Sequence, residues 1–297
     1  MFDCAKKVLL ESGVRFAEHE PLASHSSFRI GGSAALAIFP ETEEEFLFAF
    51  GVLEGENPLV VGRGSNLVFP DEGLSRPVIF TEWLRQLAVE NNTITVGAGA
   101  SVAALCKAAC EASLSGLEFA YGIPGSVGGG IYMNAGAYGG ELGSFVTSVR
   151  YYDRREKTVK TILGKNCVFG YRTSFFKENK DSVILSATFD LKEGDREEIL
   201  AKMQEFLGRR KATQPLEYPS AGSVFKRPEG AYAGKLIEDC GLKGLSVGGA
   251  CVSEKHAGFI VNKGSATAEN VKALVKMIQT TVFEKTGFSL DCEIEFI

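Results

Sequence analysis

The sequence lacks any apolar stretch near the roughly 18 residues that a membrane-spanning helix requires, so no membrane partner is expected. Positive charge is short as well. The formal net charge is −5 and no basic stripe runs along the chain, which excludes nucleic acid as the natural partner. No CxxC pair occurs among the seven cysteines, Cys4, Cys106, Cys110, Cys167, Cys240, Cys251 and Cys292. Their odd number and irregular spacing suit reduced thiols packed as small apolar residues. The histidines are only His19, His25 and His256, far apart, and HExxH is missing, so no metal is expected. A glycine-lysine-Ser/Thr triplet is absent too, which removes the P-loop. Residues 1–16 carry charges throughout and lack the apolar centre of a signal peptide; the expectation is a cytoplasmic protein. What is left, 297 residues at 45% hydrophobic and 23% charged, is the composition of a soluble enzyme of two or three domains.

Glycine, by contrast, is concentrated. Gly122, Gly125, Gly128, Gly129 and Gly130 fall within nine positions, with Ile123, Pro124 and Ser126 among them, and Asn134, Gly136 and Tyr138-Gly139 follow. Such a run reads as neither helix nor packed strand. It predicts positive φ, close approach of a ligand to the main chain, and successive free N–H groups that suit a pyrophosphate. A long glycine turn without a ligand is the plain alternative. Residues 59–61 predict a buried strand that runs into Gly62-Arg63-Gly64-Ser65-Asn66 and a second strand, another place where backbone can meet a ligand. A third glycine turn, Gly97-Ala98-Gly99, follows a strand over 93–96 and opens an alanine-rich helix. It is not a dinucleotide fingerprint, because Val102 stands at the third glycine position.

Periodicity places helices over 2–12, after Pro40-Glu41-Thr42, over 196–207, 232–240 and 268–283. It places strands over 35–39, 146–153, 158–163, 183–191, 258–262 and 290–297. Segregated blocks of this kind predict an α+β protein. A change of composition sets a domain boundary near residue 195, giving a region 1–195, itself split near 81, and a region 196–297.

Three polar clusters lie in the second half. Arg172 stands between aromatics in Tyr171-Arg172-Thr173-Ser174-Phe175, a fixed cation suited to a carboxylate, or else a surface cation on a sheet. Ser223 is presented by a turn fixed by Pro219, Gly222 and Pro228, with Lys226 and Arg227 just beyond. No nucleophile elbow surrounds it, so the hydroxyl suits a proton donor better than a nucleophile, or simply closes the turn. In the last segment, strand alternation puts Asp291, Glu293 and Glu295 on one face, which is ordinarily the wet side of an edge strand.

In order and wording these clusters resemble the UDP-N-acetylenolpyruvoylglucosamine reductase (MurB) family. The resemblance runs through Ser27-Phe28-Arg29-Ile30-Gly31-Gly32, Gly62 to Asn66, Gly122 to Gly139, Tyr171-Arg172, Gly222-Ser223 with Phe225-Lys226, His256-Ala257-Gly258-Phe259-Ile260-Val261-Asn262 and Glu293, nearly the whole chain. It implies non-covalent FAD in a two-part domain of the vanillyl-alcohol-oxidase (PCMH) type, and a C-terminal α+β substrate domain whose last strand, 289–297, returns to the active site. It implies NADPH as co-substrate, UDP-N-acetylglucosamine enolpyruvate as the group reduced to UDP-N-acetylmuramate, and a place in peptidoglycan precursor synthesis. Carried across position by position, it makes Arg172, Ser223 and Glu293 catalytic. Ser223 would be the proton donor, and Arg172 and Glu293 would polarise the enolpyruvyl carboxylate. Arg29, Gly62, Arg63, Gly64, Ser65, Asn66, Gly122, Ile123, Pro124, Gly125, Ser126, Gly128, Gly129, Asn134 and Gly136 would hold the cofactor. Tyr138, Lys226 and Arg227 would meet the sugar nucleotide, and the enzyme would be a monomer. The chain departs from the family in three places. The segment from Lys177 to Asp181 leaves no room for the inserted tyrosine loop, which points to the shorter second type. Arg227 stands where asparagine is common, and Glu295 where arginine often lies. His256 is expected to pack or to satisfy a backbone group. Two other readings stay open: another FAD-dependent oxidoreductase of the same superfamily, and a non-catalytic flavin or UDP-sugar binding protein.

Overall fold

The structure is a computed structural model that describes residues 2–297. The chain divides into two compact units. One comprises residues 1–16, 37–63 and 77–210, the other 17–36, 64–76 and 211–297. The division therefore differs from a single cut near 195, and two N-terminal segments belong with the C-terminal region. Composition cannot show this, because the chain leaves and re-enters each unit through short segments.

In the first unit, helix α1 (Asp3–Ser12) stops at Gly13, whose left-handed φ of 78° lets its N–H return to the Leu9 and Leu10 carbonyls. Helix α2 (Glu43–Val52) starts at Thr42, whose hydroxyl accepts from the Glu45 N–H, and three glutamates in the first turn face the positive end of the helix dipole. Near it, Leu59–Val61 and residues 37–38 flank Val78–Phe80 in a short parallel ladder, Val60 opposite Ile79 and Ala37 opposite Val78. A larger antiparallel sheet carries most of the unit. Its strand order is Thr158–Leu163, Val146–Asp153, Ser182–Asp190, Thr93–Gly97 and Leu87–Glu90. Alternation sends Val149, Tyr151, Ala187, Phe189, Ile94 and Val96 into one core, which α3 (Val102–Glu111), α4 (Val127–Tyr132), α5 (Phe175–Glu178) and α6 (Arg196–Thr213, to Arg210 in this unit) complete with Leu105, Ile131, Phe176 and Met203.

The second unit has its own core. Helix α7 (Ala233–Asp239) and helix α8 (Ala268–Thr286) bury Ile237, Val271, Leu274 and Ile278 with Phe28, Val224, Val252 and Ile260. A three-stranded antiparallel sheet, Ser246–Val247, Ala250–Val252 and Ile260–Asn262, lies in this unit. Helix α8 is anchored twice at its start. Thr267 and Asn270 form a capping box, and the Asp71 carboxylate accepts the Ala268 and Glu269 N–H groups at 2.8 and 3.2 Å. Asn262 joins distant segments, donating to the Phe28 carbonyl and accepting from Gly264 and Ala266.

Two readings of the sequence are corrected. The glycine run is partly helical, since α4 includes Gly128, Gly129 and Gly130. Only Gly125 within the run has positive φ, at 127°. The buried glycines of α4 serve close packing: a Cβ on Gly128 would lie 2.9 Å from the Ala98 Cβ, and one on Gly130 would lie 2.7 Å from Leu142 Cδ1. That packing offsets the roughly 0.5–1 kcal/mol each helical glycine costs relative to alanine. The closing strand is also shorter than read. Only Glu295–Phe296 is a strand, pairing in parallel with Leu67–Val68, after a bend at Glu293 and Ile294; Cys292, Ile294 and Phe296 pack on the core of this unit, as the alternation expected.

Candidate active site

The candidate residues fall into two groups, one in each unit. In the first unit the organising side chain is Asn134, only 1% exposed. Its Oδ1 accepts the Gly143 N–H at 2.9 Å and its Nδ2 donates to the Gly170 carbonyl at 3.0 Å. Asn134 thus ties the end of α4 to the turn that carries Arg172. That turn is closed by paired hydrogen bonds between Gly170 and Thr173, leaving Tyr171 and Arg172 as its two central residues. Arg172 is held at φ 55°, where a residue with a side chain is strained by about 1–3 kcal/mol. Its guanidinium lies 5.4 Å from the centre of the Tyr171 ring and donates to the Gly136 carbonyl at 3.4 Å. Tyr138 is also left-handed, at φ 53°; its ring stacks on Phe206 at 4.8 Å and its hydroxyl donates to the Phe206 carbonyl at 3.2 Å.

The glycine turn before α4 can be tested for fit to an anionic cofactor. Ser126 caps α4, its hydroxyl accepting from the Gly129 N–H, while the Val127 and Gly128 N–H groups go to Ala100 and Ala98. Among the described residues the N–H groups of Gly122, Gly125 and Ser126 have no partner, although Ser126 is 2% exposed. Orphaned buried N–H groups are rare in proteins, and these are donors of the kind a pyrophosphate takes. A Cβ on Gly62 would run into the Ser126 hydroxyl, so the second glycine turn needs glycine at that point. Arg63 is exposed and has no ion pair among the described residues. The residues of this unit fit a phosphate-bearing cofactor, with the N–H groups of Gly122, Gly125 and Ser126 as main-chain donors that could hold it.

In the second unit, Gly222 at φ 80° turns the chain into residues 223–226, which lie as an extended segment between two others. Ser223 bridges Phe259, the Val224 N–H donates to Gly258, and the Glu293 N–H donates to the Val224 carbonyl at 2.7 Å. Phe225 bridges Cys292, and the Lys226 N–H donates to Asp291. Asn66 joins this arrangement: its Nδ2 donates to the Glu293 carbonyl at 3.0 Å and its carbonyl accepts from the Glu295 N–H. Ser223, Glu293 and Asn66 are therefore brought together. The Ser223 hydroxyl and the Lys226 ammonium make no hydrogen bond among the described residues, so both are available to a ligand. Arg227 instead lies over the Tyr232 ring at 4.4 Å. Gly64 packs its Cα against the His25 carbonyl, a place no side chain fits. Arg29, at φ 56°, is exposed and lines an open depression of about 340 Å³ with Ala23, Ser24 and Ser26.

His256 has a scaffold role. Its Nδ1 accepts the Gly258 N–H at 3.1 Å, its ring meets Phe259 edge-on, and burial pushes its pKa below the ordinary value. Among the described residues no group of histidine, cysteine and carboxylate side chains is arranged to hold a metal ion. One residue without an assigned role is Arg210, which stands between Arg209 and Lys211 near the end of α6; the run of three cations is visible in the sequence, and only the fold shows which member turns inward.

Residues 34–162 match the model of an FAD binding domain, and residues 214–297 match the C-terminal domain of UDP-N-acetylenolpyruvoylglucosamine reductase. A protein of that name from Caldicellulosiruptor bescii is 46% identical over 294 residues, covering 97% of this chain and 93% of its own. This chain belongs to the UDP-N-acetylenolpyruvoylglucosamine reductase family. A reductase of the same name from Thermotoga maritima is 47% identical over 278 residues, covering 93% of this chain and 96% of its own. The crystal structure of UDP-N-acetylenolpyruvylglucosamine reductase (MurB) from Thermus caldophilus superimposes with a TM-score of 0.79 at 34% identity, covering 95% of this chain and 98% of that one. The family has the FAD-binding domain and α+β C-terminal domain expected from the sequence.

Proposed function

We propose that this chain reduces UDP-N-acetylglucosamine enolpyruvate to UDP-N-acetylmuramate at the expense of NADPH, with FAD as its cofactor, acting as a cytoplasmic monomer. Family membership supports the reaction class, and among the described residues no helix is long and apolar enough to cross a membrane. FAD, when bound, supplies the hydride chemistry that links NADPH to the enolpyruvyl group.

The observation that carries the residue assignment is the Ser223 hydroxyl, without a hydrogen-bond partner among the described residues, on a backbone pinned from both sides. Ser223 is the proton donor to the carbon next to the carboxylate. A fixed hydroxyl needs little reorganisation when that carbon becomes basic. Arg172 receives the enolpyruvyl carboxylate, where negative charge grows during reduction, and its strained turn holds the guanidinium before substrate arrives. Glu293 assists through its carboxyl group in the protonated or hydrogen-bonded form. Lys226 is the phosphate-seeking cation of the sugar-nucleotide site, and Arg227 is held back on Tyr232. Asn134 supports Arg172, and toward the cofactor it acts through the turns it braces.

The test is anaerobic. The purified protein is reduced with NADPH, UDP-N-acetylglucosamine enolpyruvate is added, and flavin absorbance is followed. Bleaching by NADPH and recovery of the oxidised spectrum with the sugar nucleotide is the expected result. Recovery only with oxygen or another acceptor would assign a different substrate to the same fold.

A further inference from the structure

The cations of the first unit are not all matched to carboxylates at the surface. Several lysines and arginines there sit at the surface against a carboxylate, such as Arg150 with Glu43 and Arg209 with Glu205. Arg210, the neighbour of Arg209 on α6, turns inward. Its Nε is buried without a hydrogen-bond partner, and Arg210 has no ion pair among the described residues. Leaving such a donor unsatisfied costs more than an average hydrogen bond contributes.

Its surroundings are those of the candidate site. The stem lies against Gly122, where a Cβ would sit 3.0 Å from Arg210 Cδ and 4.0 Å from its Nε. Gly122 carries one of the N–H groups without a partner. Burial lowers the Arg210 pKa, the Tyr138 hydroxyl opposes that shift, and the charge of Arg172 adds to it. A buried guanidinium nitrogen without a hydrogen-bond partner is unfavourable in the ligand-free chain, and an anion relieves it. A guanidinium is the side chain best shaped for the purpose, since it offers Nε and Nη donors in one plane.

We infer that Arg210 is an anion-binding residue of the candidate site, taking a phosphate or carboxylate oxygen of a bound nucleotide through its inward-facing guanidinium beside Gly122. The inference rests on the proposed reductase function for the identity of the ligands, though the anion site stands on geometry alone. Two sources share this chemistry: the diphosphate of FAD and the acidic groups of the sugar nucleotide.

The experiment uses FAD-loaded protein with Arg210→Gln, Arg210→Lys and, as an exposed control, Arg209→Gln. Retention of FAD on dilution is followed by flavin fluorescence. Binding of UDP-N-acetylglucosamine enolpyruvate to the oxidised enzyme is followed by its perturbation of flavin absorbance at several salt concentrations. The expected result is a dissociation constant raised at least about tenfold by Arg210→Gln for one of the two ligands, a smaller rise for Arg210→Lys, and a shallower salt dependence than wild type. A rise for the sugar nucleotide alone identifies the substrate as the source; a rise for FAD identifies the cofactor. Arg209→Gln should leave both unchanged. If Arg210→Gln fails to fold, Arg210→Lys is read alone: it keeps the charge and loses the fork, so an unchanged affinity for both ligands overturns the inference. Wild-type protein that binds FAD but not the sugar nucleotide would count against the proposed substrate, and the FAD arm would still test Arg210.

Discussion

The two groups of candidate residues are built on opposite principles. In the first unit the glycine turn leaves main-chain N–H groups at Gly122, Gly125 and Ser126 without a partner among the described residues, and glycine keeps side chains out of the way. In the second unit the backbone of residues 223–226 is consumed by bridges to 258–259 and 291–293, and the free groups are the side chains of Ser223 and Lys226. A main-chain site advertises itself in composition, because few residues other than glycine permit it. A side-chain site does not, because an ordinary serine on a fixed strand looks like any other serine.

The largest break in this comparison is expected at Ser223. Replacing it with alanine removes one hydroxyl and leaves every backbone bridge in place, so the fold and the glycine turns should be untouched. General acid catalysis is worth about 10²–10⁴-fold. Ser223→Ala should slow reoxidation of the flavin by the enolpyruvyl substrate by about that factor while reduction by NADPH keeps its rate, measured by stopped flow. Equal slowing of both half-reactions would mean that the hydroxyl serves structure and not proton transfer.

The counterpart in the first unit is Gly62→Ala. The added methyl runs into the Ser126 hydroxyl that caps α4, so either the turn or the cap must shift. Overpacking of this sort costs about 1–3 kcal/mol. Thermal melts of the FAD-loaded protein should show that loss together with weaker FAD retention. Ser126→Ala, which loses the cap and gains no clash, should cost about 1 kcal/mol. If Gly62→Ala melts like the wild type, the two glycine turns are not in contact and the fit to a cofactor loses its support.

The same contrast explains what was legible beforehand. Helices with capping signals were readable, as with Thr42 and its three glutamates or Gly13 after Ser12, because those rules are local. Long alternating strands such as Val146–Asp153 were readable for the same reason. The helical state of Gly128 to Gly130 was not, because it depends on Ala98 and Leu142, which sequence spacing does not bring near. The bend at Glu293 was hidden likewise, since it is set by Val224 and Asn66. Phe16–Pro21 and Leu87–Glu90 were missed as strands; the latter is four residues long and exposed along its length, too short a run for its period to be read. Arg172 and Ser223 stood out as a cation between aromatics and a serine on a fixed turn, their expected roles came from resemblance, and the structure shows why the backbone at each is held still.

A smaller effect tests how the second unit is anchored. Asp71 lies nearly two hundred residues before α8 in sequence, yet its carboxylate accepts two of the first N–H groups of that helix. Asp71→Ala should cost about 1 kcal/mol by loss of the cap, because Thr267 and Asn270 still satisfy their own N–H groups. Denaturant unfolding reads it. Ser223-dependent turnover should persist at temperatures below the lowered transition, since Asp71 touches none of residues 223–226.

The smallest effect expected concerns pH, and its sign follows from burial. His256 is pushed below the ordinary histidine pKa of 6.5, chiefly because burial disfavours its charged form; nearby Lys243 acts in the same direction, and its own backbone hydrogen bond and Glu238 oppose it. Above 6.5 both folded and unfolded chains hold the ring neutral, so no penalty exists. As pH falls through 6.5 the unfolded chain takes up the proton first, and stability declines until the folded-state pKa is reached. His256→Asn keeps an acceptor for the Gly258 N–H and removes the titration. Denaturation midpoints between pH 8 and 5 should therefore fall less steeply for the variant than for the wild type, with the two nearly equal at pH 8. An unchanged slope would mean that the ring is protonated as easily in the folded chain as in the unfolded one, and that its contact with Gly258 is the whole of its contribution.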